Sequence, residues 1–279
     1  VALTLCDPGD VVLVPNPGYP VFEAGPFLND AKIAYYELDK TNHYAPALDK
    51  IPEELAQKAK MMVISYPLNP TCTCIEKADY EKIIAFAKKY HIAIIHDNAY
   101  SEIEYDGRTG FSFLSVPGAK EVGIEFNSLS KTYNLTGIRI SFALGNKELI
   151  QKFKTVRSQF DYGTSFIVQK AAVAALTGPQ EGVRKQCAAY EERRDALCGG
   201  LNSIGWKTPY SEGTMFVWAP LPKGYTSSEK FCMDLLENTG VLCTPGSAFG
   251  SEGEGHVRFA LVLPPEEIKK AVEAVGAWL

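Results

Sequence analysis

The sequence lacks any long hydrophobic run. No window approaches the ~18 consecutive apolar residues that a membrane-spanning helix requires. It also lacks a basic excess, because 28 lysines and arginines against 33 acidic residues give a formal net charge of -5. Neither nucleic acid nor an anionic membrane is therefore expected as a partner. Internal repeats and low-complexity segments are absent as well, which favours an ordinary globular protein.

Cysteines are few and follow no pattern. The seven cysteines form an odd number without a repeating spacing, and Cys72 and Cys74 are too close together for a CxxC pair. We therefore expect reduced thiols, no metal site and a cytoplasmic protein. A chain of 279 residues, with 46% hydrophobic and 22% charged residues, is long enough for one large and one smaller domain.

Short apolar or β-branched runs alternate with helical stretches in the first half of the chain. Strands are predicted at residues 11–14, 32–38, 61–66, 92–96, 122–127 and 138–144, and a helix at 77–90. Helices are then predicted at 146–160, 165–176, 179–204, 227–238 and 265–278, with strands at 215–219 and 256–262. This order predicts an α/β fold. We expect a large domain with a mainly parallel sheet over residues 1–182 and a smaller C-terminal α+β domain over 183–279.

Polar residues follow three of the predicted strands. They are residues 66–71 (Tyr-Pro-Leu-Asn-Pro-Thr), 97–100 (Asp-Asn-Ala-Tyr) and 128–131 (Ser-Leu-Ser-Lys). Ligands of open α/β sheets bind outside the carboxyl ends of the strands, so these sets are candidates for one site. Each set alone is a weak signal, but the three in this order, ending in a lysine, are a strong one.

These sets carry a resemblance to a known family. Residues 128–139 (SLSKTYNLTGIR) resemble the lysine motif of the class I/II aminotransferases, which are pyridoxal-phosphate enzymes of fold type I. Residues 69–71 (Asn-Pro-Thr) and the pair Asp97 and Tyr100 are similar to the two preceding motifs of that family. Residues 245–250 and 257–259 extend the resemblance over nearly the whole chain. Residues 132–137 and 160–164 are most similar to the alanine and LL-diaminopimelate aminotransferase branch.

The resemblance implies a role for each motif residue at the reactive end of the cofactor. Lys131 is implied to hold pyridoxal phosphate as a Schiff base and to shuttle a proton once the substrate has displaced it. Asp97 is implied to keep the pyridine nitrogen protonated, which makes the ring an electron sink. Asn69 and Tyr100 are implied to hydrogen-bond the ring hydroxyl oxygen, and Asn69 is expected to lie beside the substrate as well.

The remaining family positions concern the phosphate, the ring face and the substrate. Arg139, eight residues after Lys131, and Ser128, three before it, match the family's phosphate-binding residues, with Ser130 as a further candidate. Tyr19 resembles the aromatic residue that stacks on the cofactor ring. Arg258, in a late strand, resembles the arginine that binds the substrate α-carboxylate, a role that suits the guanidinium fork.

The sequence departs from the family pattern in three respects. Cys72 stands where the family usually has glycine, so strain is expected if the turn has a positive φ. Ile138 and Ser141 also replace commoner residues beside Arg139. By analogy with the lengths of family members, we expect roughly the first quarter of a typical member to be missing before Val1 in this sequence. In the family, that part carries a phosphate-binding loop. We therefore expect residues 1–279 alone to bind the cofactor poorly.

The resemblance implies transfer of an amino group between an amino acid and a 2-oxo acid by a ping-pong route, in a homodimer. Two alternatives share the same cofactor residues. One is a pyridoxal-phosphate lyase, acting by β-elimination of sulfur amino acids or by ring closure. The other is a non-catalytic, aminotransferase-like regulatory module. The intact Lys131, Asp97 and Arg258 favour the enzyme.

Overall fold

A seven-stranded sheet forms the larger part of the computed structural model, which describes all residues from Val1 to Leu279. Its strands are β1 Val11–Asn16, β2 Lys32–Asp39, β3 Ala45–Pro46, β4 Ala59–Ser65, β5 Ala93–Asn98, β6 Gly123–Ser128 and β7 Ser141–Gly145. The spatial order is β3-β2-β1-β4-β5-β6-β7. All neighbours are parallel except at the two edges, where β3 and β7 are antiparallel. The α/β fold with a mainly parallel sheet is confirmed.

The central strands are nearly continuous apolar runs because helices cover both faces of the sheet. The helices are α1 Ala2–Leu5, α2 Val21–Leu28, α3 Glu53–Lys58, α4 Lys77–Tyr90, α5 Ala119–Val122, α6 Leu129–Thr132, α7 Lys147–Phe160, α8 Phe166–Thr177, α9 Glu181–Ser203, α10 Ser228–Thr239 and α11 Pro265–Trp278. No helix combines the length and apolar character needed to cross a bilayer.

Helix α4 shows how local sequence sets an element. Glu76 and Asp79 form a capping box at its start, and His91 ends it in the left-handed conformation with φ of 57°. The apolar face that includes Ile83 and Ala87 is fully buried against the sheet. The predicted bounds, 77–90, agree with the structure.

A small antiparallel sheet follows, in the order β8-β10-β9, with β8 Phe216–Pro220, β9 Thr244–Pro245 and β10 His256–Ala260. It forms its own hydrophobic core with α9, α10 and α11. The first half of α9 also contacts the loop after β5, since Cys187 packs against a cluster that includes Tyr100 of that loop.

The sequence predictions miss some elements and some bounds. The strand predicted at 138–144 begins only at Ser141, because Thr136–Ile138 is a 3-10 turn and Arg139 has a left-handed φ of 58°. Helix α2 was not predicted at all. It contains Gly25 and Pro26, two residues that normally argue against a helix interior.

Candidate active site

The carboxyl ends of four parallel strands bring the predicted motifs to one edge of the large sheet. Ser65 at the end of β4 is in register with Asp97 in β5, which is in register with Phe126 in β6. The segments that contain Asn69 and Lys131 leave β4 and β6 at this same edge. The loop with Tyr19 leaves the neighbouring strand β1 there as well.

Arg258 enters this edge from the small sheet. Its Nη1 donates a hydrogen bond of 2.7 Å to Oδ1 of Asn69. The guanidinium lies over two aromatic rings, 4.0 Å from the centroid of Phe216 and 4.6 Å from that of Phe249. Burial lowers the pKa of Arg258. The guanidinium is thus fixed in place and largely shielded from water.

No protein carboxylate neutralises Arg258. It takes part in none of the ion pairs of the structure, and its Nε is buried without a hydrogen-bond partner. Because Nη1 is occupied by Asn69, the Nε and Nη2 edge of the fork is left for another acceptor. An unpaired buried donor is costly unless a ligand satisfies it. The arrangement therefore suits a carboxylate that binds with both oxygens.

Tyr100 lies near this guanidinium, and Asp97 lies near Tyr100. Burial raises the pKa of Asp97, opposed by the nearby charge of His96, and its carboxylate accepts no hydrogen bond from the protein. Tyr100 is only 7% exposed. Its pKa is raised by burial and by the charge of Asp97, whereas the charge of Arg258 lowers it. The charges of Asp97 and of Arg258 thus both act on the Tyr100 hydroxyl.

Tyr19 stands at the rim of the same region. Its ring is 40% exposed and packs edge-on against Phe22 at 5.9 Å. Its charge would affect the pKa of both Tyr100 and Arg258, which shows that it lies within their electrostatic reach. The turn that contains Tyr19 begins at Pro17. In this turn, the backbone N–H of Gly18 donates a hydrogen bond of 2.9 Å to the backbone carbonyl of Phe249. The loop of the small sheet thus holds the Tyr19 turn in position.

The turn after Asn69 contains the predicted departure from the family. Cys72 has a φ of 63° and is fully buried, so the expected condition for strain is met. Such a conformation costs on the order of 1 kcal/mol for a residue with a Cβ. The turn is closed by hydrogen bonds from Cys72 N to Leu68 O at 2.7 Å and from Leu68 N to Thr73 O at 2.9 Å.

Lys131 lies in the short helix α6, directly after β6. The hydroxyl of Ser128 caps this helix by accepting a hydrogen bond of 3.1 Å from the backbone N–H of Ser130. Gln186 of α9 donates to the backbone carbonyl of Lys131 at 2.6 Å. The segment is therefore fixed on two sides, while the Lys131 amine is in neither a hydrogen bond nor an ion pair.

Arg139 lies in the following turn and points elsewhere. It is exposed, and its Nη1 donates to the carbonyl of Thr136 in its own turn at 3.0 Å. The structure thus brings Asn69, Asp97, Tyr100 and Arg258 together. The segment that contains Lys131 and Arg139 lies at the same sheet edge. Neither of these two side chains forms a hydrogen bond with Asn69, Asp97, Tyr100 or Arg258.

A buried polar network behind Asp97 was not predicted from the sequence. Glu125 accepts hydrogen bonds from His96 Nδ1 at 3.2 Å, Phe113 N at 2.7 Å, Ser112 Oγ at 2.9 Å and Asn127 Nδ2 at 2.9 Å. Burial acts to raise the pKa of Glu125, but the charge of His96 and the hydrogen bonds from His96, Asn127 and Ser112 together outweigh it, and the pKa falls to about 2. His96 is fully buried beside Glu125.

The family model described as aminotransferase class I and II matches residues 1–275. The chain belongs to this family, whose members depend on pyridoxal phosphate, and it is an aminotransferase.

Among curated relatives, the LL-diaminopimelate aminotransferase of Moorella thermoacetica is 45% identical over 98% of this chain and 70% of its own length. That of Halothermothrix orenii is 44% identical over 96% of this chain and 68% of its own. Among solved structures, substrate-bound BacF from Bacillus subtilis superposes with a TM-score of 0.95 at 38% identity, over 99% of this chain and 70% of its own. A probable N-succinyldiaminopimelate aminotransferase from Thermus thermophilus gives 0.93 at 33% identity, over 99% of this chain and 74% of its own.

Proposed function

We propose that Arg258 binds the α-carboxylate of an amino acid, and of the 2-oxo acid made from it, in a ping-pong amino-group transfer. The observation that carries this proposal is the buried guanidinium without an anionic partner. A carboxylate on the free Nε and Nη2 edge would satisfy the unpaired donor and neutralise the charge. The bond from Nη1 to Asn69 fixes the plane of the fork, so that a bound substrate is oriented as well as held.

The amino donor that we propose is LL-diaminopimelate or an amino acid of similar chemistry. The support is the name LL-diaminopimelate aminotransferase, which is shared by curated relatives that are 41% to 45% identical to this chain. A long substrate with a second polar end would extend away from Arg258 past Tyr19, which stands at the open rim.

The residues present fit the ring of pyridoxal phosphate. Asp97 is a carboxylate without a protein donor, and it lies at the sheet edge where ligands of such folds bind. It would hold a proton on the ring nitrogen. Tyr100 and Asn69 offer a phenol and an amide for the ring oxygen, and Tyr19 offers an aromatic face. When bound, the cofactor supplies the electron-withdrawing ring that lets a proton leave the substrate Cα.

Lys131 and its turn would serve the other end of the cofactor. The Lys131 amine has no competing partner in the structure, so we propose that it takes and returns the proton at the substrate Cα. Ser128, Ser130 and Arg139 would hold the phosphate. Arg139 would then exchange its bond to the Thr136 carbonyl for phosphate oxygens.

We propose a division into domains at residues 182 and 183. The separate hydrophobic core of the small sheet supports it, with Leu197, Cys198 and Leu201 of α9 on that side. Because the first half of α9 contacts the segments that follow β5 and β6, the helix would connect the two domains. The homodimer and the cytoplasmic location stay predictions from the family resemblance.

The test is a panel of amino donors, LL-diaminopimelate among them, assayed with pyruvate and 2-oxoglutarate as acceptors. We expect amino transfer, and we expect Lys131→Ala to remove both the visible absorbance of the bound cofactor and nearly all turnover. Lys223→Ala, at an exposed lysine without an ion pair, is the control and should behave as the parent. Release of ammonia and pyruvate from a sulfur amino acid would instead indicate a lyase. Cofactor binding without turnover of any donor would indicate a regulatory module.

A further inference from the structure

Two cysteines in the small sheet's domain face each other. Cys232 lies on α10, and Cys243 lies just before β9, with 3.3 Å between their sulfur atoms. They are 7% and 8% exposed. No other pair of cysteine sulfurs is in such contact; the thiols of Cys72, Cys187 and Cys198 interact with backbone carbonyls instead.

We propose that Cys232 and Cys243 are an oxidation site, where hydrogen peroxide converts the two thiols into an intrachain disulfide. The proposal concerns a part of the chain outside the catalytic motifs, so it does not depend on the proposed function.

The geometry requires only a small movement. A disulfide has an S–S length of about 2.05 Å, so the sulfurs must approach by roughly 1.2 Å. Cys243 lies in a short connection that begins at Gly240, which ends α10 with a left-handed φ of 72°. Leu242 beside it is 74% exposed, so this connection runs along the surface. The movement can therefore be absorbed by the connection without displacing the core of α10.

One residue of the pair, Cys243, also borders a space that a small oxidant can enter. Cys243 lines an open groove of about 650 Å³ between α9, α11 and β9, whose other walls include Leu201 and Val272. Hydrogen peroxide is small enough to enter such a groove. Burial of the thiols against large solutes therefore does not protect them from peroxide.

The hydrogen bond between the thiols favours the reaction. Donation from Cys243 lowers the pKa of Cys232, and the pKa of Cys243 rises in turn. The thiolate is the form that attacks the peroxide. In the first step an S–O bond forms, the O–O bond breaks, and the departing hydroxide takes a proton to become water. In the second step the other sulfur attacks the sulfenic acid, an S–S bond forms, and a second water leaves. Two thiols are thus oxidised while one peroxide is reduced.

The sequence around the pair makes the test simple. Trypsin releases residues 231–258 as one peptide, which contains these two cysteines and no others. The reduced protein is treated with hydrogen peroxide, alkylated and digested. We expect this peptide to lose the mass of two hydrogens and to escape alkylation, and a dithiol reductant should reverse both changes. Cleavage at Glu237, which separates the cysteines, should leave the two halves linked.

Rates and variants complete the test. We expect the pair to react at least ~10-fold faster than the isolated buried thiol of Cys198. Cys187→Ser, which removes a lone thiol, is the matched control and should leave the link intact. Cys243→Ser should abolish it; if this variant does not fold, the mapping on the parent decides alone. Alkylation of both cysteines after oxidation, over-oxidised sulfur, or links to other cysteines would overturn the proposal.

Discussion

Replacement of Arg258 by lysine tests whether the planar pair of guanidinium donors matters in addition to the positive charge. Lysine keeps one positive charge but presents no planar pair of donors, and it cannot hold the substrate while also donating to Asn69 in the same geometry. The loss is that of a charge-assisted hydrogen bond in a largely buried place, about 1.5 to 3 kcal/mol. We therefore expect kcat/KM for the amino donor to fall roughly 10- to 150-fold.

The assay is the initial rate of amino transfer over a range of donor concentrations, with the absorbance of the bound cofactor recorded in parallel. The parent should strongly prefer a whole amino acid to the matching amine without its carboxylate. Arg258→Lys should lose most of that preference, because the lost interaction is with the carboxylate alone. Arg184→Lys is the matched control, since Arg184 is exposed and pairs only with Glu181 on the surface.

A result within about 3-fold of the parent for Arg258→Lys would refute the assignment, because the loss of a charge-assisted hydrogen bond predicts at least a tenfold fall. So would an equal loss for the amino acid and for the amine, since a group that binds the carboxylate cannot affect a substrate that lacks one. A loss of cofactor absorbance in this variant would instead indicate that Arg258 binds the cofactor rather than the substrate.

Three further predictions concern buried charges. Asp97→Asn should lower amino transfer at least ~100-fold, yet the cofactor-free variant should melt no earlier than the parent at pH 7, because burial raises the pKa of Asp97 and disfavours its charge in the folded state. Arg194→Met should cost roughly 2 to 4 kcal/mol in urea unfolding, since Arg194 is 2% exposed and donates to Asp106 at 2.7 and 2.9 Å; an unchanged midpoint would contradict this. Burial raises the pKa of Glu104 from 4.5 to about 7, so its stabilising effect is complete below pH 4.5 and is lost as the pH rises toward 7. In the parent, the free energy of unfolding should therefore fall by about 1 to 2 kcal/mol across this pH window, with solvent screening allowed for. Glu104→Gln should show no such fall, which a series of thermal melts at different pH values would measure.

Local signals explain which elements could be predicted from the sequence. Helix α11 begins at Pro265 and was predicted with its observed bounds, because proline suits the first turn of a helix. The strands of the central sheet were found since they are apolar runs bounded by turn residues. The start of β7 was missed because the left-handed φ of Arg139 depends on the turn around it, which no residue type indicates.

The motif residues could be named from the sequence, but their surroundings could not. Phe216 and Phe249 flank Arg258 in the structure, although they lie 42 and 9 residues before it in the chain. Likewise, Glu125 faces His96 only because β6 pairs with β5 in one particular register. Such contacts are set by strand pairing and by packing between the two sheets, so periodicity along the chain cannot predict them.

The position of Arg258 links substrate recognition to the packing of one sheet against the other. Arg258 belongs to the small sheet, and Asn69 lies in the turn that follows β4 of the large sheet, 189 residues away in the sequence. The bond between them exists only while the small sheet packs against this turn. The loop with Phe249 strengthens this link, because it holds Gly18 by a backbone hydrogen bond and covers one face of the guanidinium. A carboxylate bound to Arg258 would therefore stabilise the contact between the sheets as well as its own orientation. Loss of the guanidinium fork of Arg258 should thus weaken both the orientation of the substrate and the contact between the sheets. A change that affected only the charge would not weaken both.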